Sequence, residues 1–441
     1  MRPGIPAERW DRPATTYCRA AASGPCWTRG TSWPSWASCA RTIRRRPIRC
    51  CARVWEVRVT SEGLPSPRLE IDVEAIRHNA RVVSGWCRDA GLGVYAVTKG
   101  VRGDPLIARA LLGGGVTGLA DSRLSSFRQL QDLRQSGGGG RAPGPRFLLL
   151  RAPSPGQATE AVSLADEVLC ASADVAEAVG RAAAGLRPGR AYGVILTVDL
   201  GDLREGLLPE DVPRAAVAIE ERLARASGGR DPERRAFVAG LATNLACFCG
   251  VVPTRGHLET LVDLARQTGQ ALGRRLSVSG GNTAVLPLLL REGLPPGIDD
   301  LRVGEGILLG RESLHREPLP GLRVDPFTLW GPVIEIARKP TCPVGECAED
   351  AFGHRPVFVD RGRRLRAIVA AGRQDLVPEG LRPLTGGLEV VGATSDHLVI
   401  DVEDYPGTLR VGDEVGFRVN YACLLQAMTS PDVARVHVGQ A

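Results

Sequence analysis

The chain runs to 441 residues, long enough for two folded domains with cores of their own. Its 43% hydrophobic content is ordinary for a globular protein, and no apolar run reaches the length of a membrane span, so no membrane partner is expected. The net charge of +7 would suit a nucleic-acid binder, but residues 1–66 carry twelve arginines against four acids; the remainder stands near −1 and needs no nucleic-acid partner.

Five of the 12 cysteines and five of the seven tryptophans also fall in the first 55 residues. That stretch shows neither helical nor strand periodicity, its cysteines lack the paired spacing of a zinc site, and it has no apolar core of a secretory signal. Residues 1–66 are therefore expected to be an extension outside the native fold, with translation starting near Val59. A disordered tail and an arginine-rich arm around Arg44-Arg45-Arg46 are the other readings. The remaining cysteines are scattered, as suits reduced thiols in a cytoplasmic protein.

From Leu69 the texture changes. Leu69–Asp72 alternates as a short strand, and Val73–Cys87 carries apolar residues at helical spacing through Ile76, Ala80 and Val83. Strand-like runs then alternate with helical stretches at Val94–Lys99, Gly118–Ser122, Phe147–Arg151, Glu167–Ser172, Val194–Leu200, Phe237–Thr243, Leu276–Gly280 and Leu301–Glu305. Eight strands, each leading into a helix or helical turn, predict an α/β fold with a (β/α)8 TIM barrel over residues 67–320. Gly137–Gly140 reads as a loop tip. Beyond residue 320 the helical rhythm stops, and short runs such as Val333–Ala337, Leu388–Ala393 and Glu414–Val419 predict a C-terminal β domain over 321–441.

The carboxyl ends of barrel strands build the active face of such folds, and polar residues gather there. Lys99 stands out, because lysine occurs only here and at Lys339 among 56 basic residues. Guanidinium cannot form an imine, whereas an amine can. Gly280-Gly281-Asn282-Thr283 precedes the apolar run Ala284–Leu290, where amides and the Thr283 hydroxyl suit a phosphate. Gly304 leaves room for close backbone approach, and Arg302 points toward the barrel mouth. An imine-forming lysine, a phosphate cradle and a partner for a pyridine nitrogen together predict pyridoxal 5'-phosphate as cofactor. The alternatives are plain: a tight turn at Gly280-Gly281, and a structural ion pair for Arg302 with Glu305 or another carboxylate.

Ala96-Val97-Thr98-Lys99-Gly100, Asp199-Leu200-Gly201-Asp202-Leu203-Arg204-Glu205-Gly206, Thr243-Asn244-Leu245, Asn282-Thr283-Ala284 and Leu301-Arg302-Val303-Gly304 resemble, in order, motifs of the alanine racemase family of fold-type III pyridoxal phosphate enzymes. Ser395-Asp396-His397 and Asn420-Tyr421 resemble stretches of that family's β domain. Phrases such as Gly372-Arg373-Gln374-Asp375 resemble the branch that includes ornithine racemase.

The resemblance implies that Lys99 carries the cofactor and transfers protons. It also implies that Arg302 faces the pyridine nitrogen, that Arg204 lies near the phenolic oxygen, and that Asn282, Thr283, Gly304 and Glu305 lie on the phosphate side. Asn244 replaces a histidine beside the ring. Racemisation needs a second acid/base opposite Lys99, which the family takes from a tyrosine of the partner subunit's β domain. No such tyrosine motif occurs here, and His354 is the expected substitute, ahead of Cys347, Asp350 and Tyr421. The expected activity is racemisation of ornithine or a similar basic amino acid by a cytoplasmic homodimer whose active site is completed by the partner's C-terminal domain. Asp396, Glu305 or Asp350 would meet a distal ammonium. Another enzyme of this fold type (an aldolase, dehydratase or decarboxylase) and a non-catalytic pyridoxal phosphate carrier are the rivals.

Overall fold

The structure, a computed structural model, describes residues 64–135, 144–186, 191–227 and 236–439, all within one compact unit. The extension expected over residues 1–66 lies, up to residue 63, outside the described residues, as does the Gly137–Gly140 loop.

Among the described residues sixteen strands form two sheets. Strand β1 is Arg68–Asp72. Strands β2 (Gly93–Val97), β3 (Gly118–Asp121), β4 (Arg146–Leu149), β5 (Glu167–Cys170), β6 (Tyr192–Val198), β7 (Ala236–Thr243), β8 (Ser277–Ser279) and β9 (Asp300–Val303) close into a parallel barrel. These are the eight strands expected from the sequence. β9 returns to β2 over four register pairs, from Gly93↔Asp300 to Ala96↔Val303. β8 and β9 share the single pair Ser279↔Asp300. Side chains alternate along each strand, so Asp300, Arg302 and Gly304 share the inward face. Above the barrel floor the interior is a small apolar cluster of Tyr95, Val97, Ala120, Leu148, Leu169, Ile195 and Ala242. The larger core lies outside, between barrel and helices, where the fully buried Ile76, Ala80 and Val83 of the helix Val73–Asp89 join it.

The second sheet holds β10 (Phe327–Pro340), β11 (Arg363–Val369), β12 (Leu381–Pro383), β13 (Glu389–Ala393), β14 (Leu398–Asp401), β15 (Glu414–Val419) and β16 (Ala434–Val438). Its path runs β12-β15-β10-β11-β14-β13, antiparallel throughout. The C-terminal β domain is thus present, with one difference from expectation. β1 lies in the segment assigned to the barrel, yet it pairs antiparallel with β10 and parallel with β16. The barrel needs only eight strands to close, and an alternating pattern does not say which sheet a strand joins.

Candidate active site

The Lys99 turn is shaped by its neighbours. β2 ends at Val97; the Thr98 amide donates to Ala120 O at 2.9 Å and its hydroxyl to Asp121 Oδ2 at 2.7 Å. Lys99 therefore sits not in the strand, as expected, but at the start of a 3₁₀ turn, Lys99–Val101. Gly103 Nα donates back to Thr98 O, and Asp104 caps the helix Pro105–Gly113 through the amides of Leu106 and Ile107. Asp121 is fully buried; burial pushes its carboxyl up, and donors from Thr98, Arg123, Ser126 and Ser122 pull it back. Lys339 pairs with Glu335 at 2.5 Å, whereas Lys99 forms no ion pair with any described residue.

Tyr421 closes over this turn from the same chain. Its helix, Tyr421–Thr429, is capped by Asn420, which accepts from Cys423 N at 2.9 Å. A Cβ on Gly100 would stand 3.0 Å from Tyr421 Cε2 and 3.5 Å from its Oη, so the glycine gives the ring its close approach to the turn. Burial raises the Tyr421 phenol strongly, and the charges of Glu305, Cys247 and Asp121 add to it.

A second group of site residues meets above β6–β8. Asn282 Oδ1 accepts from Ala284 N at 2.9 Å, while its Nδ2 donates to Leu245 O at 2.8 Å and Asn244 Oδ1 at 3.0 Å. Turned over, the Asn244 amide oxygen would instead accept from Arg204 Nη2 at 3.1 Å, so that one oxygen serves either Asn282 or Arg204. Arg204 also donates to Cys247 Sγ at 2.7 Å and pairs with Glu205. The loop carrying Arg204 is tied down by Asp202, whose buried carboxylate accepts from the amides of Cys247, Phe248 and Cys249.

Arg302 is buried, donating to Ser279 Oγ and Thr243 O. It is not paired with Glu305, whose carboxylate holds Arg316 at 2.8 and 2.9 Å. Thr283 Oγ1 accepts from Gly306 N at 3.1 Å, and the short helix Glu305–Leu309 begins at Gly304 with no side-chain cap. Gly281 sits at φ +128, where glycine is favoured. Lys99 without a counter-ion, an uncapped helix start beside Gly304 and a buried guanidinium match the donors that pyridoxal phosphate requires.

His354 lies elsewhere. It belongs to the exposed connection 341–362 of the β domain, with its amide on Asp350 Oδ1 at 2.9 Å and its Nδ1 3.8 Å from Asp350 Oδ2. Asp396 is held by Gln374 and Ser395. Two residues at the site were not expected there, Asp202 and Cys247; Asp121 was expected only as one of the polar strand ends. The signal for Asp202 was its place inside the Asp199–Gly206 motif, and Cys247 looks like any loop thiol.

Barrel, second sheet and strand-end lysine define an alanine racemase fold, and the chain belongs to that family: the model for the alanine racemase N-terminal domain matches residues 71–311. The chain is an amino-acid racemase, an isomerase. It is 38% identical over 372 residues to the lysine racemase of Thermotoga maritima, covering 84% of this chain and 98% of that protein. It is 34% identical over 365 residues to the ornithine racemase of Acetoanaerobium sticklandii, covering 82% and 97%. Among solved structures, an alanine racemase from Streptomyces lavendulae superimposes with a TM-score of 0.60 at 21% identity, over 86% of this chain and 99% of that one.

Proposed function

We propose that this racemase acts on a free basic amino acid, ornithine or lysine, with pyridoxal 5'-phosphate held at Lys99. The observation that carries it is the Lys99 amine, without an ion pair among the described residues, in a turn closed by Tyr421 on a barrel that also buries Arg302. The names of the two relatives support a diamino-acid substrate. The cofactor supplies an electron sink for the α-carbon. Lys99 Nζ removes or returns the α-proton on one face. Arg302 stays charged, so it donates toward the ring nitrogen without giving up its proton. Arg204, with Asn244 and Asn282, forms a polar wall, and Thr283, Gly304 and Glu305 offer backbone and hydroxyl donors on the phosphate side. Glu305 itself is neutralised by Arg316, which keeps its carboxylate compatible with a nearby anion.

The second proton donor comes from a partner subunit, with His354 the first candidate, then Cys347 and Asp350. The enzyme is a cytoplasmic homodimer that needs neither nucleic acid nor membrane; among the described residues no helix is long and apolar enough to cross a bilayer.

The test is direct. Protein from residue 59 onward, loaded with pyridoxal phosphate, should absorb near ~420 nm and abolish the optical rotation of L-ornithine or L-lysine. Lys99→Ala should lose both. An absorbing protein that racemises no amino acid would favour the carrier or lyase reading.

A further inference from the structure

Eight-stranded barrels are usually filled by apolar layers. Here charged side chains, Asp300 and Arg302, stand beside the apolar cluster of the interior. On the inward face of β9, Asp300 lies one pleat below Arg302, and β8 presents Ser279 beside both. Ser279 Oγ accepts from Arg302 Nη1 and donates to Asp300 Oδ1. A guanidinium has no acceptor, so the single Ser279 proton has to point away from Arg302, toward the carboxylate. The other Arg302 nitrogen donates to the Thr243 carbonyl. Arg302 therefore touches no carboxylate directly, although burying an uncompensated charge is costly. One hydroxyl links it to a counter-charge.

We propose that Asp300 is a positioning residue of the racemase: through the Ser279 hydroxyl it holds Arg302 and sets the charge that Arg302 presents at the floor of the site. This rests on the reading that pyridoxal phosphate lies there with its ring nitrogen toward Arg302. Asp300 touches neither substrate nor cofactor, and its effect passes entirely through the guanidinium.

The surroundings of Asp300 make its charge sensitive to pH. Burial pushes its carboxyl up to about 6, against the Ser279 hydrogen bond and the Arg302 charge, which pull it down. Glu167 from β5 and Asp299 beside β9 repel it further. Tyr95 from β2 and Arg146 from β4 complete the shell: Tyr95 Oη donates to Glu167 Oε2 at 3.1 Å, and Arg146 pairs with Glu167. Glu167 is therefore engaged below, and Glu205 is paired with Arg204, which leaves Asp300 as the carboxylate available to Arg302. Arg302 in turn also faces Arg204 and Glu205 from the β6 loop. Above about pH 6 Asp300 is charged and the chain Asp300–Ser279–Arg302 is complete; below it the counter-charge is lost.

The experiment compares the loaded full chain with Asp300→Asn, Ser279→Ala and Ser279→Thr. For wild type, kcat with L-ornithine or L-lysine should fall on the acid side with a midpoint near 6. Asp300→Asn and Ser279→Ala should each lower kcat about tenfold at pH 8 and remove that midpoint, with KM little changed. Ser279→Thr keeps the hydroxyl and should restore both rate and profile, which a purely structural role for Ser279 would not do. An Asp300→Asn enzyme that keeps the acid midpoint would overturn the proposal. So would variants that lose only cofactor loading or melting temperature while kcat per loaded site is unchanged. The 15N shift of the Arg302 guanidinium, read in the chain without cofactor, should titrate near pH 6 in wild type and stay flat in Asp300→Asn. Should Asp300→Asn not fold, the Ser279 pair decides. A wild type that takes up no pyridoxal phosphate would reject the functional reading alone, and the guanidinium titration still decides whether Asp300 governs Arg302.

Discussion

Asp202 contributes more to the site than its position in a loop implies. Its carboxylate, almost wholly buried, collects three consecutive amides from Cys247, Phe248 and Cys249, and so ties the β6 loop that carries Arg204 to the β7 loop that carries Asn244. Asp202→Ala strands three donors and should cost about 2 kcal/mol, read by chemical denaturation. It should also weaken cofactor affinity by loosening Arg204, read by titration of the cofactor absorbance. At this scale the sequence singled out Lys99, one of only two lysines in an arginine-rich chain, because an amine can form an imine and a guanidinium cannot. Asp300 was invisible to the same reading. Its role exists only once β8 and β9 are in register, and strand register is set by long-range packing that no local pattern records.

The turn between β2 and the helix Pro105–Gly113 shows how an element is held from both ends. Asp104 caps that helix with one carboxylate oxygen and meets His437 Nε2 of β16 at 3.1 Å with the other. Burial alone would raise the Asp104 carboxyl, but the His437 contact and the Ile107 and Leu106 amides outweigh it, and the group lies below its usual range. A lowered acid stabilises the fold above its unfolded value near ~4 and loses that contribution as pH falls through the native value. Asp104→Ala should therefore destabilise the chain by about 1–3 kcal/mol at pH 7, and the gap between variant and wild type should narrow in melts below about pH 4. Gly103, in the same turn, sits at φ +65, and a Cβ there would stand 2.7 Å from Ser126 Cβ and 2.9 Å from its Cα. Gly103→Ala should cost about 2 kcal/mol or more and shift Lys99, seen as slower cofactor uptake. The barrel strands were legible because buried parallel strands are continuous apolar runs punctuated by turn residues. β12, β16 and the helix Tyr421–Thr429 were not, being short pieces whose burial depends on the sheet they join.

At the level of the whole molecule the puzzle is the 341–362 connection. It joins two adjacent antiparallel strands, β10 and β11, which a few residues would link, yet it spans 22 and leaves Val344, Val357 and Val359 exposed at 95%, 92% and 71%. In the proposed homodimer this connection would lie against the partner subunit. With His354 on this connection and Lys99 on the barrel, a shared site predicts complementation: inactive Lys99→Ala and His354→Ala preparations, mixed and allowed to exchange subunits, should recover about a quarter of wild-type activity. Recovery of none, with exchange verified by mass, would place the second proton donor elsewhere.

The placement of β1 has a consequence for how the protein is made. Apart from the closing β9–β2 pair, the barrel's strands each pair with a neighbour that follows soon after in the chain, so they can assemble as the ribosome delivers them. β1 is made before all of them but has no partner until roughly 250 residues later, when β10 and then β16 emerge to flank it. Until then a strand with two unsatisfied edges hangs from the first helix of the barrel. The nascent enzyme therefore carries an unpaired strand through most of its synthesis, and among the described strands the last to be translated is the one that covers it.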